Sequence, residues 1–498
     1  MTLRLHNTLT GRKEEFRPLE AGVVRMYTCG PTVWNYSHLG NYRAYLFYDL
    51  LRRHLEVSGY RLVHVMNITD VDDRIIEQAN LAGVGIREFT RSWEEIFFED
   101  MHLLRVREAE LYPHATGHVQ EMTTLIEQLL ASGHAYEADG DVYFRIASFP
   151  AYGRLSHLDR AGLRPGARTV TDKYDKESAT DFALWKQAHP EDERVGAAWD
   201  APFGRGRPGW HIECSAMAMK YLGETLDIHA GGVDLLFPHH ENEIAQSEAA
   251  SGQPFARFWL HLEFLADATG KKMAKSTGGF TTLRDLLEAG HDPLAVRLFL
   301  LGTAHYRSRL RLNEEALHAA AEQLRRLQDF ADRVRRYEPG IPTPRSSLGG
   351  DPGIPTPRSR LRGDPGIRAD DAALFQATQD VRDAYRAALD DDLNLPEGLG
   401  HVFEMIREAN AALDAGRVGP AAREALLALL DDVDTHLDVL SVEATSLDAA
   451  VQRLIAEREE ARRARDFETA DRIRNELRER GVVLEDSREG VRWKVVQR

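Results

Sequence analysis

Cysteine is nearly absent: the 498-residue chain holds two, Cys29 and Cys214, 185 positions apart, too few for a disulfide framework. Long apolar runs are missing as well. Nothing approaches the roughly 18 residues needed to cross a bilayer as a helix, which excludes a helical membrane span. A basic excess is also lacking, with 63 Lys+Arg against 79 Asp+Glu and a formal net charge of −16. That balance argues against non-specific binding to a polyanion while leaving room for a local basic surface. The first residues, MTLRLHNTLTGRKEEF, do not form the basic start and apolar stretch of a secretory leader, so the expected location is the cytoplasm. What is present is an ordinary globular composition, 43% hydrophobic, 29% charged and 8% aromatic. At about 150 residues per domain the length supports three domains or a few more.

The first 80 residues alternate strand and helix. Gly22–Tyr27 (GVVRMY) is an apolar run ending near Cys29-Gly30-Pro31, and Arg43–Leu55 has helical periodicity. Leu62–Met66 (LVHVM) reads as a second strand, followed by Thr69-Asp70 as an N-cap signal before Val71–Ala79. Such alternation predicts a parallel sheet with its ligands at the strand ends, which makes the 29–41 and 67–73 loops neighbours. From about 116 to 207 a helix near Val119–Leu130, the strand-like GDVYFRIA and several Gly- and Pro-containing turns read as an inserted substructure. Leu226–His229 then reads as a further strand of a split sheet. After Phe280, amphipathic runs at Glu314–Arg336, Asp370–Leu389, Glu397–Ala415 and Ala421–Leu440 predict a helical bundle. A tandem repeat, GIPTPRSSLGGDP (340–352) and GIPTPRSRLRGDP (353–365), reads as a disordered or polyproline-like linker. The segment from Val451 carries 13 Lys+Arg and 11 Asp+Glu, and is the relatively basic end of the chain.

Three constellations carry chemistry. In FPHHENEIAQSE a helix starting after Pro238 puts His239 and Glu243 on one face at i and i+4. With Cys29 at a strand end and Cys214, they make a mixed N/S/O set suited to Zn2+; His240, three positions before Glu243, competes with His239, and a solvated helix pair is the plain alternative. His38-Leu39-Gly40-Asn41 opens the first long helix, where neutral donors and close backbone approach suit a phosphate. Gly270-Lys271-Lys272-Met273-Ala274-Lys275-Ser276 reads as a loop able to close over a polyphosphate, or as a solvated basic loop.

Taken together, TCGPTVWNYSHLGN, NITDVDDRII, GWHIECSAM, HAGGVDLLFPHHENEIAQSE and KKMAKS resemble the signature stretches of the cysteinyl-tRNA synthetase family, a class I aminoacyl-tRNA synthetase family. The likeness runs from residue 20 to the C-terminus apart from the repeat. It implies an α/β fold: a Rossmann-like parallel-sheet catalytic domain split over 1–115 and 208–261 by a connective insertion at 116–207. A stem-contact region at 262–313 follows, then a helical bundle at 314–445 containing the linker 339–367, and a small anticodon-binding region at 446–498.

The resemblance implies one Zn2+ on Cys29, Cys214, His239 and Glu243, with the substrate thiolate as a further ligand. Zinc takes a thiolate and refuses a serine hydroxyl, so no editing site is needed. Thr69, Trp210 and His229 match positions lining the amino-acid pocket, Trp210 being equally compatible with plain core. His38 and Asn41 match the first ATP signature, here HLGN, and Lys272 and Lys275 the second, here KMAKS, where Ala274 lacks the usual hydroxyl. Gly231, Gly232 and Asp234 match nucleotide contacts, with Ala230 where a first glycine is usual. LDDDLNLPE (389–397) and the final segment match more loosely, offering Arg462, Asp471, Asp486 and Trp493 as anticodon candidates, with a salt-bridged surface helix as the alternative. The implied activity is ATP-dependent activation of L-cysteine, with Mg2+ accompanying ATP, and its transfer to tRNA(Cys) by a monomer. Two rivals remain: a cysteine ligase of thiol biosynthesis acting on an amino sugar, which would lack the C-terminal tail, and a non-catalytic tRNA-binding relative, which would have damaged signatures.

Overall fold

The computed structural model describes residues 2–158, 163–169, 179–267, 281–339, 365–440, 454, 457–458, 461, 466–479, 482–487 and 490–495. The chain starts with a hairpin, β1 (Arg4–Asn7) and β2 (Arg12–Glu15), and continues through β3 (Val23–Thr28), α1 (Leu39–Val57) and β4 (Arg61–Met66). Next come α2 (Asp73–Ala82), α3 (Ile86–Leu103), α4 (Val119–Ala131), β5 (Ala135–Ala138), β6 (Asp141–Phe144), β7 (Leu163–Thr169), β8 (Ala179–Gln187), α5 (Pro190–Val195) and β9 (Gly206–Pro208). The first half of the chain closes with α6 (Trp210–Leu222), β10 (Leu226–Gly232), α7 (Glu241–Ser251), β11 (Ala256–Leu262) and β12 (Leu265–Ala266). After it lie α8 (Leu283–Glu288), α9 (Pro293–Gly302), β13 (Leu310–Arg311), α10 (Glu314–Arg336), α11 (Pro365–Asp390), α12 (Leu395–Asp414) and α13 (Pro420–Leu437). The described C-terminal elements are α14 (Phe467–Glu479), β14 (Val482–Ser487) and β15 (Gly490–Val495).

The central sheet is parallel, in the order β11-β10-β3-β4. Its strands are apolar almost throughout because helices cover both faces of a parallel sheet, and five of the six residues of β3 are buried. Met26 pairs with Ile228 on one side and with His64 on the other, so strands some 200 residues apart in sequence become neighbours. Between β4 and β10 the chain builds a second sheet, β5-β6-β8-β7 with β9 on β8. β11 was not foreseen from the sequence, although ARFWLHL buries all but one residue.

One apolar core runs through α1, the central sheet and the helical bundle, joining Leu46 and Leu50 to Leu298, Val402 and Leu426. A second unites the insertion with the other face of the sheet through Ile75, Met122, Phe144, Trp185, Met217 and Ile244. The bundle helices extend over the amphipathic runs, with α10 starting as expected behind an Asn313 cap whose side chain accepts from the Ala316 N–H. Of the tandem repeat at 340–365, residues 340–364 lie outside the described residues, and α11 begins at Pro365, so the last residues of the expected linker 339–367 belong to a helix.

One expectation fails locally. The cap of α2 is Asp72, whose carboxylate accepts from the Ile75 N–H at 2.7 Å, and Thr69-Asp70 does not start the helix. Both residues are engaged elsewhere: the Thr69 hydroxyl donates to Glu213, and the Asp70 carboxylate accepts from the backbone and hydroxyl of Thr116.

Candidate active site

The ends of β3, β4 and β10 converge where the parallel sheet predicts a ligand crevice. Cys29 follows β3 directly, and its N–H donates to the Ala230 carbonyl at 3.3 Å. Gly30 packs so tightly against the loop after β4 that a Cβ there would sit 1.8 Å from the Asn67 carbonyl oxygen, so only glycine permits the turn. The two expected neighbouring loops meet: Thr69 N–H donates to the Pro31 carbonyl at 3.0 Å and Val33 N–H to the Thr69 carbonyl at 3.1 Å.

Cys29, Cys214, His239 and Glu243 are all buried, and each offers one ligand atom within 4.8 Å of the others. Cys214 arrives on α6, Glu243 on α7, and His239 in the kinked turn Leu236–His240 that precedes α7. His239 Nε2 lies 3.0 Å from Glu243 Oε1, the one-face pairing that the i, i+4 spacing predicts. A second set overlaps it: Cys29, His229, His240 and Glu243 satisfy the same 4.8 Å condition, with His240 Nε2 3.3 Å from Cys29 Sγ. His240 is braced by His261, Nδ1 to Nε2 at 2.8 Å, and His229 Nε2 lies 2.8 Å from Glu243 Oε2. Gly231 makes room for this arrangement, since a Cβ on it would come 2.4 Å from His240 Cε1.

The electrostatics divide the four groups: Cys214 and Glu243 are favoured as anions, while Cys29 and His239 hold their protons. Burial works against charge on His239, yet Glu243 and Cys214 outweigh it and raise its pKa to about 10. Burial raises Glu243, but His229 and His239 bring it down to about 2. Cys214, pushed up by burial, is lowered to about 6 by the Cys29 hydrogen bond and His239, while burial and Cys214 drive Cys29 well up. Two soft sulfurs, an imidazole and a carboxylate in tetrahedral number fit Zn2+. Because binding must displace protons from Cys29 and His239, affinity for such a metal rises with pH.

The candidate pocket residues border this cluster. The ring of Trp210 stacks on His239, centroids 4.2 Å apart and planes at 25°, so it packs directly against one of the candidate ligands. His229 stacks on Trp259 at 4.5 Å. Thr69 is joined to the site through Glu213 on α6. Glu213, His211 and His261 were not singled out from the sequence. Glu213 lies 144 residues from its partner, and no local pattern announces a contact at that separation.

His38 is the N-cap of α1. Its Nδ1 accepts from the Asn41 N–H and its own N–H donates to the Asn41 carboxamide oxygen, both at 3.1 Å. The HLGN tetrapeptide is thus a capping box, and a neutral His38 whose Nδ1 accepts carries its proton on Nε2. Lys272 and Lys275 lie outside the described residues, as does Ala274. The chain that follows them is held against the first signature: Leu39 N–H donates to the Thr281 carbonyl at 3.0 Å, and His38 pairs with Thr282. Gly232 and the exposed Asp234 stand at the end of β10, where a Cβ on Gly232 would meet the Asp234 carboxylate at 2.4 Å. Of the anticodon candidates, Arg462 is outside the described residues, Asp471 lies in α14, and Asp486 and Trp493 lie on the two strands of the terminal hairpin.

A split parallel sheet, a capping box at its first helix and a crevice at its strand ends place the molecule among class I aminoacyl-tRNA synthetases. The methionyl-tRNA synthetase of Mycobacterium tuberculosis bound by methionyl-adenylate superposes with a TM-score of 0.57 at 15% identity, over 87% of this chain and 94% of that one. The LeuRS–tRNA–LeuAMS complex of Agrobacterium radiobacter K84 does so with 0.58 at 11%, over 86% and 85%. A family model for the class I (C) tRNA synthetase catalytic domain matches residues 15–322, a DALR domain model 384–444, and a cysteinyl-tRNA ligase anticodon-binding domain model 444–493. Cysteine–tRNA ligases of Solibacter usitatus and Chlamydia pneumoniae are each 45% identical over 99% of this chain, covering 100% and 98% of those proteins. The chain belongs to the cysteine–tRNA ligase family.

Proposed function

We propose that this chain activates L-cysteine with ATP and transfers it to the 3′ end of tRNA(Cys), with one Zn2+ per chain selecting the thiol. The observation that carries the reading is the buried quartet Cys29, Cys214, His239 and Glu243 beside the capping box of α1. Held by these four, Zn2+ supplies a soft acceptor for the substrate's thiolate and a poor one for a serine hydroxyl, so selectivity needs no second, hydrolytic site.

The chain's own residues account for the remaining steps. The cysteine carboxylate attacks the α-phosphorus of Mg2+-bound ATP; a carboxylate-to-phosphorus bond forms as the bond to the pyrophosphate oxygen breaks. The attacking group is already ionised, so positioning and electrostatic stabilisation supply the rate. His38, with its proton on Nε2 at a helix N-terminus, donates to phosphate oxygen, and Lys272 and Lys275 offset the charge of the departing pyrophosphate. Gly231 and Gly232 let the nucleotide approach the end of β10, and Asp234 accepts from a ribose hydroxyl. Trp210, Thr69 and His229 enclose the amino acid. The terminal ribose hydroxyl of the tRNA then attacks the cysteinyl carbonyl and adenylate leaves. Asp471, Asp486, Trp493 and Arg462 are assigned to anticodon reading.

ATP-dependent attachment of labelled cysteine to unfractionated tRNA, with serine as control, tests the proposal. Charging with cysteine and none with serine is expected. Cysteine-dependent pyrophosphate release without charging of tRNA would return the reading to a small-molecule cysteine ligase.

A further inference from the structure

Glu213 is fully buried and immediately precedes Cys214 on α6, yet it belongs to neither ligand set. Its Oε2 accepts from the Thr69 hydroxyl at 3.1 Å, and its Oε1 is buried without a hydrogen-bond partner among the described residues. The same Thr69 oxygen accepts from Asn67 Nδ2 at 3.0 Å, and Asn67 Oδ1 in turn accepts from the Gly30 N–H at 2.9 Å. A hydroxyl has one proton and two lone pairs. The Thr69 proton is committed to Glu213 and one lone pair to Asn67, so the group can offer only an acceptor to a further neighbour.

The surroundings leave that acceptor to a hydrogen-bond donor from outside the cluster. Glu213 forms no ion pair among the described residues, and the nearby carboxylates are occupied: Asp70 by Thr116, and Asp72 by the start of α2. Burial, with Cys214 and Asp70 nearby, pushes the Glu213 carboxyl well above the usual carboxylate range, so its role rests on hydrogen bonding: an unmet buried oxygen is costly until a donor arrives. Consecutive residues of α6 therefore serve two different groups, a sulfur at Cys214 and, through Glu213, the acceptor oxygen of Thr69. A cysteine molecule has matching groups on adjacent carbons, its thiol and its α-ammonium group.

We propose that Glu213 is a positioning residue for substrate recognition: it draws the Thr69 proton inward and so presents the Thr69 oxygen as acceptor to the α-ammonium group of the amino acid. The proposal rests on the reading of cysteine as substrate.

The test uses Glu213→Gln in the full-length zinc-loaded protein and two partial substrates as inhibitors of cysteine-dependent pyrophosphate–ATP exchange. Cysteamine has the thiol and ammonium without the carboxylate; 3-mercaptopropionate has the thiol and carboxylate without the ammonium. In E213Q the amide N–H can donate to Thr69 and turn its proton outward. The KM for cysteine and the inhibition constant of cysteamine are then expected to rise about tenfold or more, while zinc content, the KM for ATP and the inhibition constant of 3-mercaptopropionate stay unchanged. Equal weakening of both thiols, loss of zinc, or no change with either inhibitor overturns the proposal. If E213Q does not yield folded protein, Thr69→Val decides the matter by the same split, with Thr69→Ser retaining wild-type behaviour. Absence of cysteine-dependent exchange in the unmodified protein would overturn the substrate reading itself, and this role with it.

Discussion

Two polar clusters are buried in this molecule, and they treat their charges differently. Where α1 meets the bundle, Arg297 donates to Asp49 at 2.6 Å and to the carbonyls of Leu437 and Leu104, and Arg53 donates to Asp49, Asp438 and the carbonyls of Thr435 and Arg105. The second Asp49 oxygen accepts from the Arg107 N–H. At the strand ends, by contrast, Glu213 Oε1 and His229 Nδ1 lack hydrogen-bond partners among the described residues, and two overlapping sets of ligand atoms crowd within 4.8 Å. The first cluster is saturated and joins two parts of the chain. The second leaves polar atoms unmet among the described residues, the pattern of a functional site rather than of a structural joint.

The contrast is sharpest for Arg297. Replacing it by Met leaves Asp49 with Arg53 as its one remaining cation and the buried carbonyls of Leu437 and Leu104 without their donor, and we expect a loss of about 2–3 kcal/mol in urea-induced unfolding with cysteine activation per folded molecule nearly unchanged. A loss below about 1 kcal/mol would show that the interface cluster is not structural.

Acid should open the same interface. Burial and the adjacent His54 lower His436 to about 4, so the folded protein keeps this ring neutral while the unfolded chain protonates it below about 6.5. Stability from the neutral ring is present above pH 6.5 and is lost progressively as pH falls towards 4, by up to about 3 kcal/mol for this group. His64, lowered to about 3 mainly by burial, adds to the same trend. Thermal melts between pH 7 and 4 measure it; a His436→Gln variant with an unchanged pH slope would shift the effect to other groups.

At the strand-end cluster, Cys214→Ser should remove zinc and reduce cysteine activation by at least about 100-fold, beyond the range for residues that merely support a ligand. Metal analysis and pyrophosphate exchange on one preparation check both halves. Unchanged zinc would remove Cys214 from the set. The smallest effect is expected for deletion of 340–367, whose Pro- and Gly-rich composition offers little to bury: charging rate and melting temperature should hardly move, and a large loss of charging would assign the repeat a role in tRNA binding.

Legibility from sequence follows the same division. Period and capping are local, so α10 and the strands at Val23–Thr28 and Arg61–Met66 could be placed from their own residues. The quartet became readable because its residues lie within several family-like segments. Spacing alone left His239 and His240 as rivals, and the structure puts both imidazoles near Cys29 and Glu243. Glu213 and its contact with Thr69 escaped notice because that contact is made only when α6 packs beside the loop after β4. The misplaced cap of α2 has the same origin: Thr69 and Asp70 carry capping side chains, and long-range partners claimed them first.

The pairing of β3 with β10 also bears on how the protein is made. Cys29 leaves the ribosome 214 residues ahead of Glu243, which at 5–20 residues per second is an interval of roughly 10–40 s. Until β10 docks along β3 and brings α6 and α7 with it, a nascent chain offers a metal ion isolated donors in place of a preformed cage. A metal held by this quartet would therefore be acquired late in the life of each new chain, after the sheet has closed.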